Sequence, residues 1–184
     1  MADTRPARYP ALIIFFHWLV AALVLTAITL VMLAEEIDDK QLHRDLVMLH
    51  KSVGISVLVV MVLRLIFTLP LKRSAPEGGS RAMQLAAKSV HIAFYGLLLV
   101  IPFLGWWMSS AAGKPISWFF LFDLPSIAPM DMPLAKIIKE WHEALAEALI
   151  VLIGLHAGAA LWHHYVNKDN TLRRMLPAKD LNPR

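Results

Sequence analysis

The chain contains no cysteine. That excludes disulfides, thiolate metal sites, iron–sulfur clusters and haem attached covalently through a C-x-x-C-H motif. Charge is also scarce: only 17% of the 184 residues are Asp, Glu, Lys or Arg, against 58% hydrophobic residues. A water-soluble domain of this length would be nearer half apolar and about a quarter charged. Acidic residues are missing from the centres of the long apolar runs. There is no internal repeat and no low-complexity segment. The net charge of +4 does not point to nucleic acid, because the basic residues sit at the ends of apolar runs. The first such run is too long for a signal-peptide core and no A-x-A-like site follows it.

What is present is four long apolar stretches, which with a mean hydropathy of +0.57 predict a multi-pass membrane protein built as one domain over 1–184. The spacing predicts an all-α, four-helix transmembrane bundle with spans at about 11–34, 46–69, 85–110 and 137–166, each long enough to cross a bilayer core of about 30 Å. Pro10 opens the first span, Pro70 stops the second and Pro102 kinks the third. Asp131 and Pro133 form a helix start for the fourth. The connection 35–45 reads as an acidic loop (Glu35, Glu36, Asp38, Asp39, Asp45), whereas 71–88 reads as a basic one with Gly78-Gly79 and the single acid Glu77. The segment Ile116 to Phe122 (ISWFFLF) is too short to span and belongs at the interface. Basic residues also mark the N-terminus (Arg5, Arg8) and the tail (Lys168, Arg173, Arg174, Lys179). The positive-inside rule therefore places both termini in the cytoplasm.

This topology sorts the histidines by depth. His17 lies near the inner end of span one and His50 near the outer end of span two. In span four His142 is outer and His156 inner; fourteen residues leave them about 40° apart around the axis and about 21 Å apart along it. Two layers result, His17 with His156 and His50 with His142. Pairs of imidazoles from facing helices are how a non-covalent b-type haem is held, and polar groups at membrane depth usually mark function. Arg64, fourteen residues after His50, shares its face in the inner layer, where it either pairs with a haem propionate or snorkels to the surface. The same alternatives hold for Lys51 in the outer layer. His91 falls at the inner depth, as a third candidate ligand or a hydrogen-bonded wall residue. His163 lies seven residues after His156, only about 20° off its face and about 10 Å further along, placed to wall or protonate a small-molecule pocket. His43 falls in a loop facing solvent, and His164 points away toward headgroups. Met48, Met61 and Met108 read as packing.

Particular stretches also resemble a known family. The HW pair at His17-Trp18, LHKSVGISVLVVMVLRL around His50, and above all WHEALA, IGLHAGAALWHHY and KDNTLRRMLP are similar to the bacterial cytochrome b561 family, itself related to the cytochrome b subunits of Ni-Fe hydrogenases. The resemblance runs from Arg8 to Pro177 and is closest to the diheme, quinone-linked members. It implies two non-covalent haem b groups with axial ligands His17, His50, His142 and His156. It further implies an inner-membrane location, electron exchange with ubiquinone, a periplasmic donor, and an activity extending to superoxide:ubiquinone oxidoreduction. Depth and helical phase place the expected quinone pocket near the cytoplasmic interface, between the inner layer, Arg64 and His163. The acidic first loop departs from the positive mouth that would attract superoxide, though Lys114, Lys136 and Lys139 restore positive charge on that side. Two other functions fit parts of the pattern: a cytochrome b membrane anchor serving a separate dehydrogenase, and a metal-ion transporter using the histidine layers for Zn²⁺. The second lacks carboxylates near the span centres.

Overall fold

The computed structural model describes residues 9–71 and 80–176. Arg5, Arg8, Lys179 and residues 72–79 of the basic second loop, with Glu77, Gly78 and Gly79, lie outside these residues. The chain forms α1 (Ala11–Glu35), α2 (Lys40–Thr68), α3 (Arg81–Ala111), a hairpin of β1 (Ser117–Trp118) and β2 (Phe122–Asp123), α4 (Met132–Tyr165) and a single 3₁₀ turn (Arg173–Met175). All four α-helices are long and apolar enough to cross a membrane. The architecture is the expected all-α transmembrane bundle.

Local chemistry sets the helix starts. The side chains of Asp39, Ser80 and Asp131 each accept the backbone N–H three residues on, from Leu42, Met83 and Leu134. Such caps contribute about 1 kcal/mol apiece. They also correct two boundaries. Helix α2 begins at Lys40, so the acidic connection shrinks to a few residues and His43 lies on a helix, its Nδ1 2.8 Å from the Ala34 carbonyl. Helix α3 likewise begins at Arg81, ahead of its apolar run, while α4 starts at Met132 behind the Asp131 cap with Pro133 in its first turn, as the sequence predicts. Polar first turns escape a reading based on hydropathy because the cap, and not the composition, defines them.

Neighbouring helices pack as α1 on α2, α2 on α3 and α3 on α4. Their shared core holds Val20, Val24, Val57, Met61, Leu98, Ile101 and Leu149. The two described ends of the chain meet at one end of the bundle: the Trp18 indole donates to the Met175 carbonyl at 2.7 Å, and the Arg174 guanidinium, in a residue only 4% exposed, lies 5.0 Å from the Tyr9 ring centre.

At the opposite end, the interfacial segment is a hairpin, with Ser117 opposite Asp123 and Trp118 opposite Phe122. Its tip carries Phe119 and Phe120 at φ 47° and 61°, a left-handed backbone that bulky residues adopt only when held there. Ser52, fully buried on α2, holds it. The Ser52 hydroxyl lies 3.2 Å from the Ser117 carbonyl and accepts the Phe119 N–H at 2.9 Å, while the Trp118 indole donates to Ser56 at 3.3 Å.

Candidate haem and quinone sites

At the hairpin end, α2 presents His50 and α4 presents His142, with ring centres 6.3 Å apart. At the termini end, His17 from α1 and His156 from α4 face each other with ring centres 6.4 Å apart. Imidazole nitrogens bind a first-row metal at about 2.0–2.1 Å, so two rings sharing one ion have centres about 6.3 Å apart. Both pairs match that separation. The fourteen-residue spacing on α4 thus brings one histidine to each of the two pairs.

The hairpin-end pair is oriented by backbone. His50 Nδ1 lies 2.8 Å from the Ala27 carbonyl of α1, and His142 Nδ1 lies 2.9 Å from the Ile101 carbonyl of α3. Carbonyls only accept, so each Nδ1 carries the proton and each Nε2 keeps its lone pair for a metal. Gly105 permits the second contact: a Cβ built there would sit 3.3 Å from His142 Cε1. Gly54, one helical turn after His50, has no atom within 4 Å of an added Cβ, which leaves room beside the ligand for a flat macrocycle. The residues present therefore fit a haem held between two imidazoles.

The termini-end pair is assembled differently. Among the described residues, neither His17 nor His156 has a hydrogen-bond partner for its ring. Aromatic edges surround them instead: Trp18 against His17 at 5.3 Å, and Phe94 against His156 at 5.2 Å. His91 stands 6.1 Å from His156 on another side, as near as His17 does. The structure thus brings His17, His91 and His156 together at this end. Arg64 belongs to this end, with its guanidinium 5.5 Å from the Tyr95 ring centre and its Nε buried without a hydrogen-bond partner. A buried donor left over beside a histidine pair suits a carboxylate such as a propionate. Lys51 at the hairpin end instead donates to Ser109 Oγ at 2.8 Å, and Ser109 in turn bonds the Lys114 carbonyl.

Beyond the termini-end pair, His163 pairs through Nδ1 with Asp169 Oδ2, a partner the sequence reading missed. Burial acts to raise the Asp169 carboxyl, but hydrogen bonds from His163 and Thr171 outweigh it and hold the group below its ordinary value. An Asp six residues after a His has no periodic signature, because the link is made by a turn and not by a helix face. His164, expected at the headgroups, has a buried Nδ1 and packs edge-on against Tyr165 at 4.8 Å. Among the described residues no group of three His, Asp or Glu side chains is placed to hold a metal ion by itself.

The family model described as prokaryotic cytochrome b561 matches residues 8–178. The chain is 36% identical to "Cytochrome b561 homolog 2" of Escherichia coli K12 over 93% of its length and 92% of that protein. It is 35% identical to "Probable superoxide oxidase CybB" of Yersinia pestis, covering 94% of this chain and 97% of the relative. A second Escherichia coli protein, "Cytochrome b561 homolog 1", is 39% identical over 71% of this chain and 74% of its own.

Proposed function

We propose that this chain, which belongs to the prokaryotic cytochrome b561 family and is thereby a multi-pass b-type cytochrome of membrane electron transfer, holds two haems and passes electrons across the bacterial inner membrane to ubiquinone. The observation that carries this reading is the pair of histidine couples at 6.3 and 6.4 Å, each at the separation of two imidazoles on one metal. Bound haem supplies one-electron redox chemistry at its iron. Everything else falls to the protein. His50 and His142 hold the hairpin-end group, His17 and His156 the termini-end group. Arg64 would neutralise a propionate at the termini end, and Lys51, which keeps two N–H donors beside its bond to Ser109, would do so at the hairpin end.

The termini end is cytoplasmic in this reading, following the basic ends of the chain. Quinone binds there, against Arg64 and His163, where protons for its reduction are available from water through a histidine. Electrons enter at the hairpin end, on the periplasmic side. Lys114, in the connection after α3, and Lys136, in the first turns of α4, belong to that end, and their charge favours a small anionic donor. Superoxide is such a donor, and the name of the Yersinia pestis relative points the same way. A second placement of quinone rests on an apolar cleft of about 490 Å³ lined by Phe103, Trp106 and Trp107, which flank Gly105 at the hairpin end.

Purified protein should contain two haems per chain, both low-spin because each would be held by two imidazoles, and acidified acetone should extract all of the haem. One haem per chain, or haem retained by the polypeptide, would overturn the two-site reading. Superoxide reducing quinone on the purified chain alone supports the oxidase function; dependence on a co-purifying soluble subunit supports the anchor role.

A further inference from the structure

We propose that Asp169 is the positioning residue that makes His163 a directional proton donor, an inference that rests on the quinone site proposed above. The turn after α4 is built around this contact. Lys168 adopts φ 53°, a left-handed conformation that is unfavourable for a non-glycine residue. The reversal it produces joins Asp169 to His163 twice: the Asp169 N–H donates to the His163 carbonyl at 3.1 Å, and the Asp169 carboxylate accepts from His163 Nδ1. The other carboxylate oxygen accepts the Thr171 N–H at 2.9 Å, so the side chain cannot swing away without losing both partners. Asn167 Nδ2 stands 3.4 Å from the same ring nitrogen, at the edge of the contact. His163 and Asp169 side chains are 27% and 23% exposed, enough to exchange protons with water while remaining tied to the bundle. Local strain held in place by several bonds is a pattern found at working sites.

The consequence is a fixed division of labour between the ring nitrogens. A carboxylate on Nδ1 keeps that nitrogen protonated and stabilises the imidazolium. The Nε2 proton is then the one released. When it moves to a quinone oxygen, the ring is left neutral with its remaining proton on Nδ1, facing Asp169. A proton from water restores the imidazolium. One quinone takes two electrons and two protons to become quinol. The electrons come from two equivalents of the external one-electron donor, each oxidised once, and the protons from two such cycles at His163.

The test uses the holoprotein in Asp169→Asn, Asp169→Glu and His163→Ala forms. Asn preserves the shape and both backbone bonds of the turn but removes the charge. The expected result is unchanged haem content and spectra in all three. Quinone reduction should fall roughly a hundredfold in His163→Ala, the usual scale for losing a positioned acid, and about tenfold in Asp169→Asn with an enlarged solvent deuterium isotope effect. Activity should return in Asp169→Glu. Nitrogen-15 spectra of labelled histidine should show the neutral His163 ring carrying its proton on Nδ1 in the native protein, with that preference weakened in Asp169→Asn. If His163→Ala is slow but Asp169→Asn matches the native protein in rate and isotope effect, the positioning role is wrong and the quinone site stands. If neither substitution slows quinone reduction, the quinone site itself is misplaced and the proposal falls with it.

Discussion

The two histidine pairs share one spacing and differ in almost everything around them. At the hairpin end each Nδ1 is committed to a main-chain carbonyl, the His142 ring rests against Gly105, and the hairpin is bolted to α2 through Ser52. At the termini end the rings are bordered by aromatic edges, a third histidine stands within reach of His156, and the buried Nε of Arg64 has no hydrogen-bond partner. One site is preset by backbone, which offers a single tautomer and a single orientation. The other is bounded by side chains that can repack. Under the proposed function, the difference would suit a site that only relays electrons at one end and a site that accommodates an arriving substrate at the other.

The largest expected effect breaks the pairs. Replacing His50 or His142 with Ala should remove the hairpin-end haem and leave most of the other. Replacing His17 or His156 should do the reverse, while His91→Ala keeps both haems with at most a shifted termini-end potential. Haem quantitation with redox titration decides it. Loss of a haem in His91→Ala but not in His17→Ala would reassign the termini-end pair to His91 and His156.

A smaller effect sharpens the contrast in rigidity. Gly105→Ala places a methyl 3.3 Å from His142 Cε1. The ring or α3 must give by a few tenths of an ångström, at a cost on the order of 1–3 kcal/mol. The hairpin-end haem should lose affinity or shift its potential, with the termini-end haem unchanged. Equal shifts in both would show that the two ends are mechanically coupled through α4.

The smallest effect concerns acid. Asp169 is held below its ordinary carboxylate value, as burial is outweighed by the His163 and Thr171 hydrogen bonds. Above about pH 3.9, the unperturbed Asp value, this contributes stability, and the contribution is lost as pH falls through the depressed folded value. The stability gap between native protein and Asp169→Asn should therefore be present near neutrality and close at low pH. Thermal denaturation in detergent across that range measures it, and a gap that widens with acid would contradict the sign.

The four apolar runs, the pairing of His17 with His156 and His50 with His142, and the place of Arg64 were all readable from the chain alone. Hydropathy and the α-helical repeat are one-dimensional properties, and depth along a span follows from counting residues. The interfacial character of Ile116 to Phe122 was readable too, but its hairpin was not, because the strained Phe119–Phe120 tip exists only while Ser52 of a distant helix holds it. The same holds for the orientation of the ligands. Every residue carries a carbonyl, so nothing in the letters marks Ala27 or Ile101 as the acceptors for His50 and His142. His91 has the right depth on paper, yet only packing brings it to His156 at the same range as His17. Asp169 meets His163 because Lys168 turns the chain back. Composition and spacing determined which residues reach each depth; tertiary contacts alone decided which way the rings face and what holds them, because those depend on directions in space that no periodicity encodes.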